Sequence, residues 1–250
     1  MWLLDLGNTR LKLARVDGDG LGPVTALAHG EAGFEAALAT ALATAVPGET
    51  AWLASVAPEP LRLRVEGLLV AHGLRPRRAA TRPECAGVRI AYADPSRLGV
   101  DRFLALLAAR ARGGDQLVVS FGSAITVDLL DARGLHHGGL IGIAPTHARQ
   151  ALAERFPALD RGVPAAAPPV FGVDTPEAVA AGVERQALGL VLAAWGDACV
   201  RLGHPPALMV GGGDAPAHVD ALAGRLPVEL AHCEAMVLDG LRVYADATRD

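Results

Sequence analysis

The sequence predicts an α/β protein made of two similar halves, and three observations carry that expectation. Strand-like and helix-like segments alternate along the chain. A strand, glycine turn and strand near the N-terminus recur near the middle: Asp5-Leu6-Gly7-Asn8-Thr9 lies over Ser120-Phe121-Gly122-Ser123-Ala124, and the turn at 15–20 over the one at 130–135. Gly 29 and Pro 17 in 250 residues interrupt the chain too often for a long coiled coil, while 51% hydrophobic and 20% charged residues suit a compact core.

Residues 2–6 and 9–16 read as two short strands joined at Gly7-Asn8, and 17–20 turns the chain again. A helix is expected over 34–45, a buried strand over 51–56, and a helix over 60–73 with Pro60 at its start and Gly73 at its end. A strand at 87–92 leads through a Pro-containing loop into a helix ending at Arg112, and Gly113-Gly114-Asp115 is the expected boundary between halves 1–114 and 115–250. The second half repeats the hairpin, adds a third strand at 136–143 and continues as a helix over 145–156. A Pro/Ala-rich loop at 161–174, long enough to serve a function, precedes a helix from Thr175-Pro176 to about Leu202. Residues 207–215 read as a strand and glycine turn, 216–226 as a helix, and 237–247 as a terminal helix.

Composition excludes several classes of function. Few aromatic residues (Trp 3, Tyr 2, Phe 5) and a net charge of −4 argue against a nucleic-acid partner. The one dense basic cluster, Arg75, Arg77, Arg78 and Arg82, reads as solvated surface beside a helix end. Cys85, Cys199 and Cys233 form no CxxC pair, so neither a disulfide framework nor a structural zinc site is expected. The start MWLLDLGN has no basic leader, and the longest apolar stretch, around 188–195, falls short of the roughly 20 residues of a membrane span. A soluble cytoplasmic protein without a membrane partner is the expectation.

The first hairpin, Asp5-Leu6-Gly7-Asn8-Thr9-Arg10-Leu11-Lys12, offers what a nucleotide phosphate chain needs. Gly7 allows close backbone approach, Asn8 and Thr9 bring donors, Lys12 brings a point charge, and Asp5 is a hard oxygen ligand for Mg²⁺, directly or through water. The same residues also fit an ordinary Asn-type hairpin turn. Asp101 stands in the first turn of a helix, where a carboxylate interacts favourably with the helix dipole. His136 and His137 have no third ligand nearby in sequence and do not suggest a metal site.

These segments resemble, in order, the motifs of type III pantothenate kinases. That family belongs to the acetokinase, sugar kinase, heat-shock cognate and actin superfamily, and the likeness extends to the branch labelled Bvg accessory factors. Asp5–Lys12 resembles D-x-G-N-[ST]-x-x-K, and Tyr92 to Arg102 resembles Y-x-x-P-x-x-L-G-x-D-R. Gly122-Ser123-Ala124…Thr126…Asp128 resembles G-T-A-x-T-x-D. Weaker matches follow at His137-Gly138-Gly139-Leu140-Ile141, Gly172…Thr175 and Gly212-Gly213-Asp214-Ala215.

The resemblance implies two duplicated RNase H-like (actin-like ATPase) domains with mixed sheets flanked by helices. It implies ATP- and Mg²⁺-dependent phosphorylation of pantothenate by a homodimer. Asp101 would be the general base, while Tyr92, Gly99, Val100 and Arg102 would shape the pantothenate site. Thr175 would reach the substrate from the neighbouring subunit. Asp5–Lys12, Gly122 and Ser123 would hold phosphates, and Gly212 and Gly213 would lie against adenosine.

Departures from the pattern bear on this reading. Ser120 stands where the family usually has an Asp associated with an activating K⁺ or NH₄⁺ ion, so weaker or absent dependence on a monovalent cation is expected. Ile143-Ala144 replaces a Pro-Gly pair, with Pro145 one position on. Gly211 stands where a Thr often precedes the Gly-Gly-Asp turn. These changes keep two other functions in view: a non-catalytic regulatory or scaffold protein on the same fold, and another small-molecule kinase of the superfamily.

Overall fold

The computed structural model describes residues 1–18, 20–159 and 169–248. Its contacts divide the chain into two compact units, Met1–Gly114 with Leu130–Gly138 and Ala235–Asp250, and Asp115–Leu129 with Gly139–Glu234. The expected halves are thus not contiguous, because the C-terminal residues join the first unit.

In the first unit, β1 (Trp2–Leu6) is a nearly continuous apolar run, as a strand covered on both faces should be. It lies antiparallel to β2 (Arg10–Asp17) and parallel to β5 (Thr50–Ser55). Short strands β3 (Gly20–Leu21) and β4 (Thr25–Ala28) both pair with β2, and β6 (Arg75–Arg78) adds a parallel edge beside β5, giving the order β3-β2-β1-β5-β6. Helices α1 (Phe34–Ala41) and α2 (Glu59–Ala71) cover one face, where Leu4, Leu6, Leu11, Leu13, Phe34, Leu38, Leu53, Val65 and Leu69 form the core.

The arginine cluster is exposed and follows the end of α2, as expected, but Arg75, Arg77 and Arg78 also form strand β6, which the sequence did not suggest. Its sequence RPRR has no strand-like pattern. An edge strand tolerates proline and charge, and these arginines lie along their neighbours. Arg77 covers the Trp52 ring at 5.8 Å, and Arg78 Nε donates to Glu66 Oε1 at 2.7 Å. The expected strand at 87–92 shrinks to a two-residue β8 (Val88–Arg89), paired with β7 (Glu84–Cys85).

Helix α3 (Val100–Arg112) and the terminal helix α7 (Met236–Ala247) pack together and against β1 and β5. Tyr244 of α7 meets Trp52 edge-on at 5.5 Å and Phe103 at 6.3 Å. This apolar face is the physical reason that α7 belongs with the first sheet.

The second sheet repeats the strand order of the first as β11-β10-β9-β12-β13, where the strands are β9 (Gln116–Phe121), β10 (Ala124–Leu130), β11 (His136–Ile143), β12 (Ala207–Gly211) and β13 (Leu230–Cys233). As β1 does with β5, β9 pairs in parallel with β12. Helices α4 (Pro145–Arg155), α5 (Thr175–Leu202) and α6 (Pro216–Ala223) complete the unit, and Pro145 opens α4 directly after Ala144. Of the expected loop 161–174, residues 161–168 lie outside the described residues.

Among the described residues α5 alone is long and apolar enough to cross a membrane, with a mean hydropathy of 1.2. Its Ala187, Leu188, Val191, Ala194 and Ala198 lie in the second core with Val119, Phe121, Ile125 and Val210, so it is read as a core helix.

Candidate active site

The first hairpin places its functional groups by strand register. Asp5 and Lys12 are cross-strand partners at the hairpin mouth. Gly7 N–H donates to Arg10 O at 3.0 Å and closes the turn, leaving the Asn8 and Thr9 side chains exposed. From behind, His29 holds the turn, its Nε2 lying 3.1 Å from Gly7 O and its backbone N–H donating to Thr9 O at 3.4 Å. Nothing in the sequence singled out His29. Leu6 and Leu11 are fully buried, so only their backbone can meet a ligand, and Arg10 is exposed at the start of β2.

Burial and the charge of Asp101 push the Asp5 carboxyl up to about 7, against a smaller downward pull from Lys12. The fold has therefore brought Asp5 within range of the charge of Asp101, which is far away in sequence. Asp101 occupies the first turn of α3, and its Oδ1 accepts the Arg102 backbone N–H at 2.8 Å. A Cβ on Gly99 would lie 2.5 Å from that same oxygen, so a larger residue there would make the carboxylate shift. Val100, the first helical residue, is buried.

Arg102 is not a surface arginine: it is 7% exposed, with Nη1 donating to Tyr92 Oη at 3.3 Å and its guanidinium 6.0 Å from the Tyr92 ring centroid. Tyr92 is half-buried in an irregular stretch before the 3₁₀ turn Pro95–Arg97. The first unit thus assembles Asp5–Lys12, Tyr92, Gly99, Val100, Asp101 and Arg102.

The second unit assembles the other glycine turns. Ser120, near the end of β9, is the register partner of Gly211 on β12. Gly122 N–H donates to Ala124 O at 3.1 Å, and Ser123 is exposed at the tip. Gly212, at φ +100°, lies against the backbone of Phe121, where any Cβ would collide, and Asp214 N–H donates to Phe121 O at 3.0 Å. Gly213 follows in the exposed part of that turn. Behind it the His218 ring stacks on Phe121 at 4.2 Å, and its Nδ1 is 2.7 Å from Glu184 Oε1.

Thr175 lies elsewhere in this unit, bordering a surface depression lined by Leu159, Gly172, Val173, Asp174, Ala178 and Val179. It is the first residue of α5 and not its cap; Asp174 caps the helix by accepting the Glu177 N–H at 2.9 Å.

Among the described residues no three His, Cys, Asp or Glu side chains gather as a metal site. Asp5 nevertheless suits a hard divalent cation, because such an ion would offset both the burial and the Asp101 charge that raise its carboxyl.

Two sheets of one strand order, each with a glycine-turned central hairpin, define the class: the actin-like ATPase fold. A protein from Campylobacter jejuni described as a Baf family transcriptional activator shares the fold with a TM-score of 0.61 at 18% identity, over 98% of each chain. The activator of 2-hydroxyisocaproyl-CoA dehydratase from Clostridium difficile, solved with bound ADPNP, gives a TM-score of 0.52 at 12% identity over 99% of this chain and 95% of its own. Sequence is more specific. The family model described as type III pantothenate kinase matches residues 1–196. The type III pantothenate kinase of Xanthomonas oryzae pv. oryzae (strain PXO99A) is 43% identical over 250 residues, 98% of this chain and 97% of that protein. That of Stenotrophomonas maltophilia (strain R551-3) is 42% identical over 244 residues, 98% and 96% of the two chains. The chain belongs to the type III pantothenate kinase family.

Proposed function

We propose that this protein transfers the γ-phosphoryl group of ATP to the hydroxyl of pantothenate, giving 4′-phosphopantothenate, the first step toward coenzyme A. Family membership supports the reaction, and the observation that carries the residue assignment is the placing of Asp101 beside the buried Arg102–Tyr92 pair and within range of the Asp5 charge in the first unit. Asp101, fixed by the Arg102 N–H and given room by Gly99, takes the proton from the attacking hydroxyl. Arg102 and Tyr92 bind the pantothenate carboxylate or amide end, with Val100 and Gly99 at the helix N-terminus beside them. The turn at Gly7–Thr9 and Lys12 orient the phosphate chain, as do Gly122 and Ser123, while Gly212 and Gly213 face adenosine. Asp5 would hold Mg²⁺, directly or through water, and the ion would supply charge neutralisation to the phosphate chain.

Ser120 contributes a neutral oxygen where a carboxylate would balance a monovalent ion, so activity depends weakly or not at all on K⁺ or NH₄⁺. The active form is a cytoplasmic homodimer in which Thr175 reaches the partner's pantothenate. Purified protein with ATP, Mg²⁺ and pantothenate is expected to form ADP, and Asp101→Asn to lose at least about 10²-fold in kcat. Retained activity in that variant removes Asp101 from the role of base.

A further inference from the structure

His136, at the start of β11, is only 1% exposed and has no part in the chemistry above. Its ring lies parallel to that of Tyr92, with centroids 6.0 Å apart and planes 7° apart. Its Nδ1 accepts the backbone N–H of Ala91 at 3.4 Å. One side chain therefore holds both the peptide that precedes Tyr92 and the face of the Tyr92 ring. That double hold matters because Ala91 and Tyr92 belong to no strand or helix, so no regular hydrogen-bond ladder fixes them. On its other side Tyr92 meets Arg102, both through its hydroxyl at 3.3 Å and through its ring at 6.0 Å. Imidazole, phenol and guanidinium thus form one chain of planar contacts within the first unit.

We propose that His136 is a positioning residue that sets Tyr92, and through it Arg102, for the organic substrate, and so controls pantothenate affinity without acting in phosphoryl transfer. This rests on the pantothenate kinase reading of the site. An aromatic contact is worth about 0.5–1.5 kcal/mol, or about 2- to 13-fold in an equilibrium.

The test combines steady-state kinetics of His136→Ala and His136→Phe with ¹⁹F spectra of protein carrying 3-fluorotyrosine. With only Tyr 2 in the chain, Tyr244 serves as the internal reference and Tyr92→Phe assigns the other signal. For His136→Ala the pantothenate KM is expected to rise about 3- to 10-fold, with ATP KM and kcat within about 2-fold and only the Tyr92 signal displaced. His136→Phe, which keeps a stacking ring, is expected to restore most of the affinity, and it decides the matter alone if the alanine variant does not fold. Equal changes for both substrates, no change for either, or a phenylalanine variant with the full loss of affinity would each overturn the inference. Should the wild type fail to phosphorylate pantothenate while the Tyr92 signal still follows His136, the functional reading falls and the positioning contact stands. An active enzyme whose Tyr92 signal and KM ignore His136 sinks the inference alone.

Discussion

The two glycine hairpins share a backbone plan and differ in charge. In each, a central strand ends at a glycine whose N–H donates back across the turn, Gly7 to Arg10 O at 3.0 Å and Gly122 to Ala124 O at 3.1 Å. Gly7, Asn8 and Thr9 lie between β1 and β2, whereas only Gly122 and Ser123 lie between β9 and β10. The first hairpin carries Asp5 opposite Lys12 and within reach of the Asp101 charge; the second has the neutral Ser120 at the matching position. The two copies of the hairpin share the turn, and the electrostatic cost falls on one of them.

That difference is broken most directly by Asp5→Asn. On the function proposed above, the variant is expected to lose about 10²- to 10³-fold in kcat, because the half-buried carboxylate proposed to hold the metal ion is gone. It should at the same time be more stable. Asp5 titrates at about 7 in the native protein against 3.8 for an ordinary carboxyl, so between those values the native state holds more protons than the unfolded one. The stability linked to this group is full below 3.8 and is lost as pH rises through 7. In metal-free buffer near pH 8, Asp5→Asn should therefore exceed the wild type by on the order of 1–3 kcal/mol in urea unfolding, and the two should converge near pH 4. A variant less stable than the wild type at pH 8 would show that no such cost is stored at Asp5.

The glycines are separated next. Ala at Gly212 must adopt φ +100° and push its Cβ into the Phe121 backbone, so Gly212→Ala is expected to cost about 2–4 kcal/mol. Its surviving activity should show a raised ATP KM with pantothenate KM unchanged. At Gly7 the added Cβ would sit 3.5 Å from Arg10 O, an ordinary contact, and Gly7→Ala should cost less than about 1 kcal/mol in stability. Equal destabilisation by the two substitutions in denaturant titrations would contradict this account.

Much of this plan was legible in the sequence, because it is written in local signals. The apolar runs of β1, β5, β9 and β12, the glycine turns and the prolines opening α4 and α5 follow from periodicity and turn chemistry. The missed elements lack such signals. Strand β6 is held by parallel pairing to Thr50–Leu53 and by arginine stems, and β13 pairs with β12 only after a helix intervenes. The terminal helix looked like the end of the second half until tertiary packing placed Tyr244 on Trp52 and Phe103. At the site, motif residues were visible but their supports were not: His29, His136 and His218 act through contacts remote in sequence. Asp174 caps α5 because its carboxylate reaches the Glu177 N–H, a contact that the sequence alone did not single out.

The smallest effects are expected at Ser120, and they sharpen the comparison most. If the second hairpin works through its backbone alone, Ser120→Ala should change kcat and ATP KM by no more than about 3-fold, since it removes one neutral hydroxyl near the surface. Ser120→Asp instead adds a charge beside Gly211 on the neighbouring strand, recreating in the second copy the demand for a counterion that Asp5 makes in the first. A carboxylate there needs a cation nearby, so the variant should be slower than the wild type without K⁺ and recover when K⁺ is added at constant ionic strength. The wild type in the same titration should move by less than about 2-fold, the signature of a site with no full charge to balance. Strong K⁺ activation of the wild type would mean that other oxygens of the second unit hold the ion, and that charge does not separate the two hairpins in function.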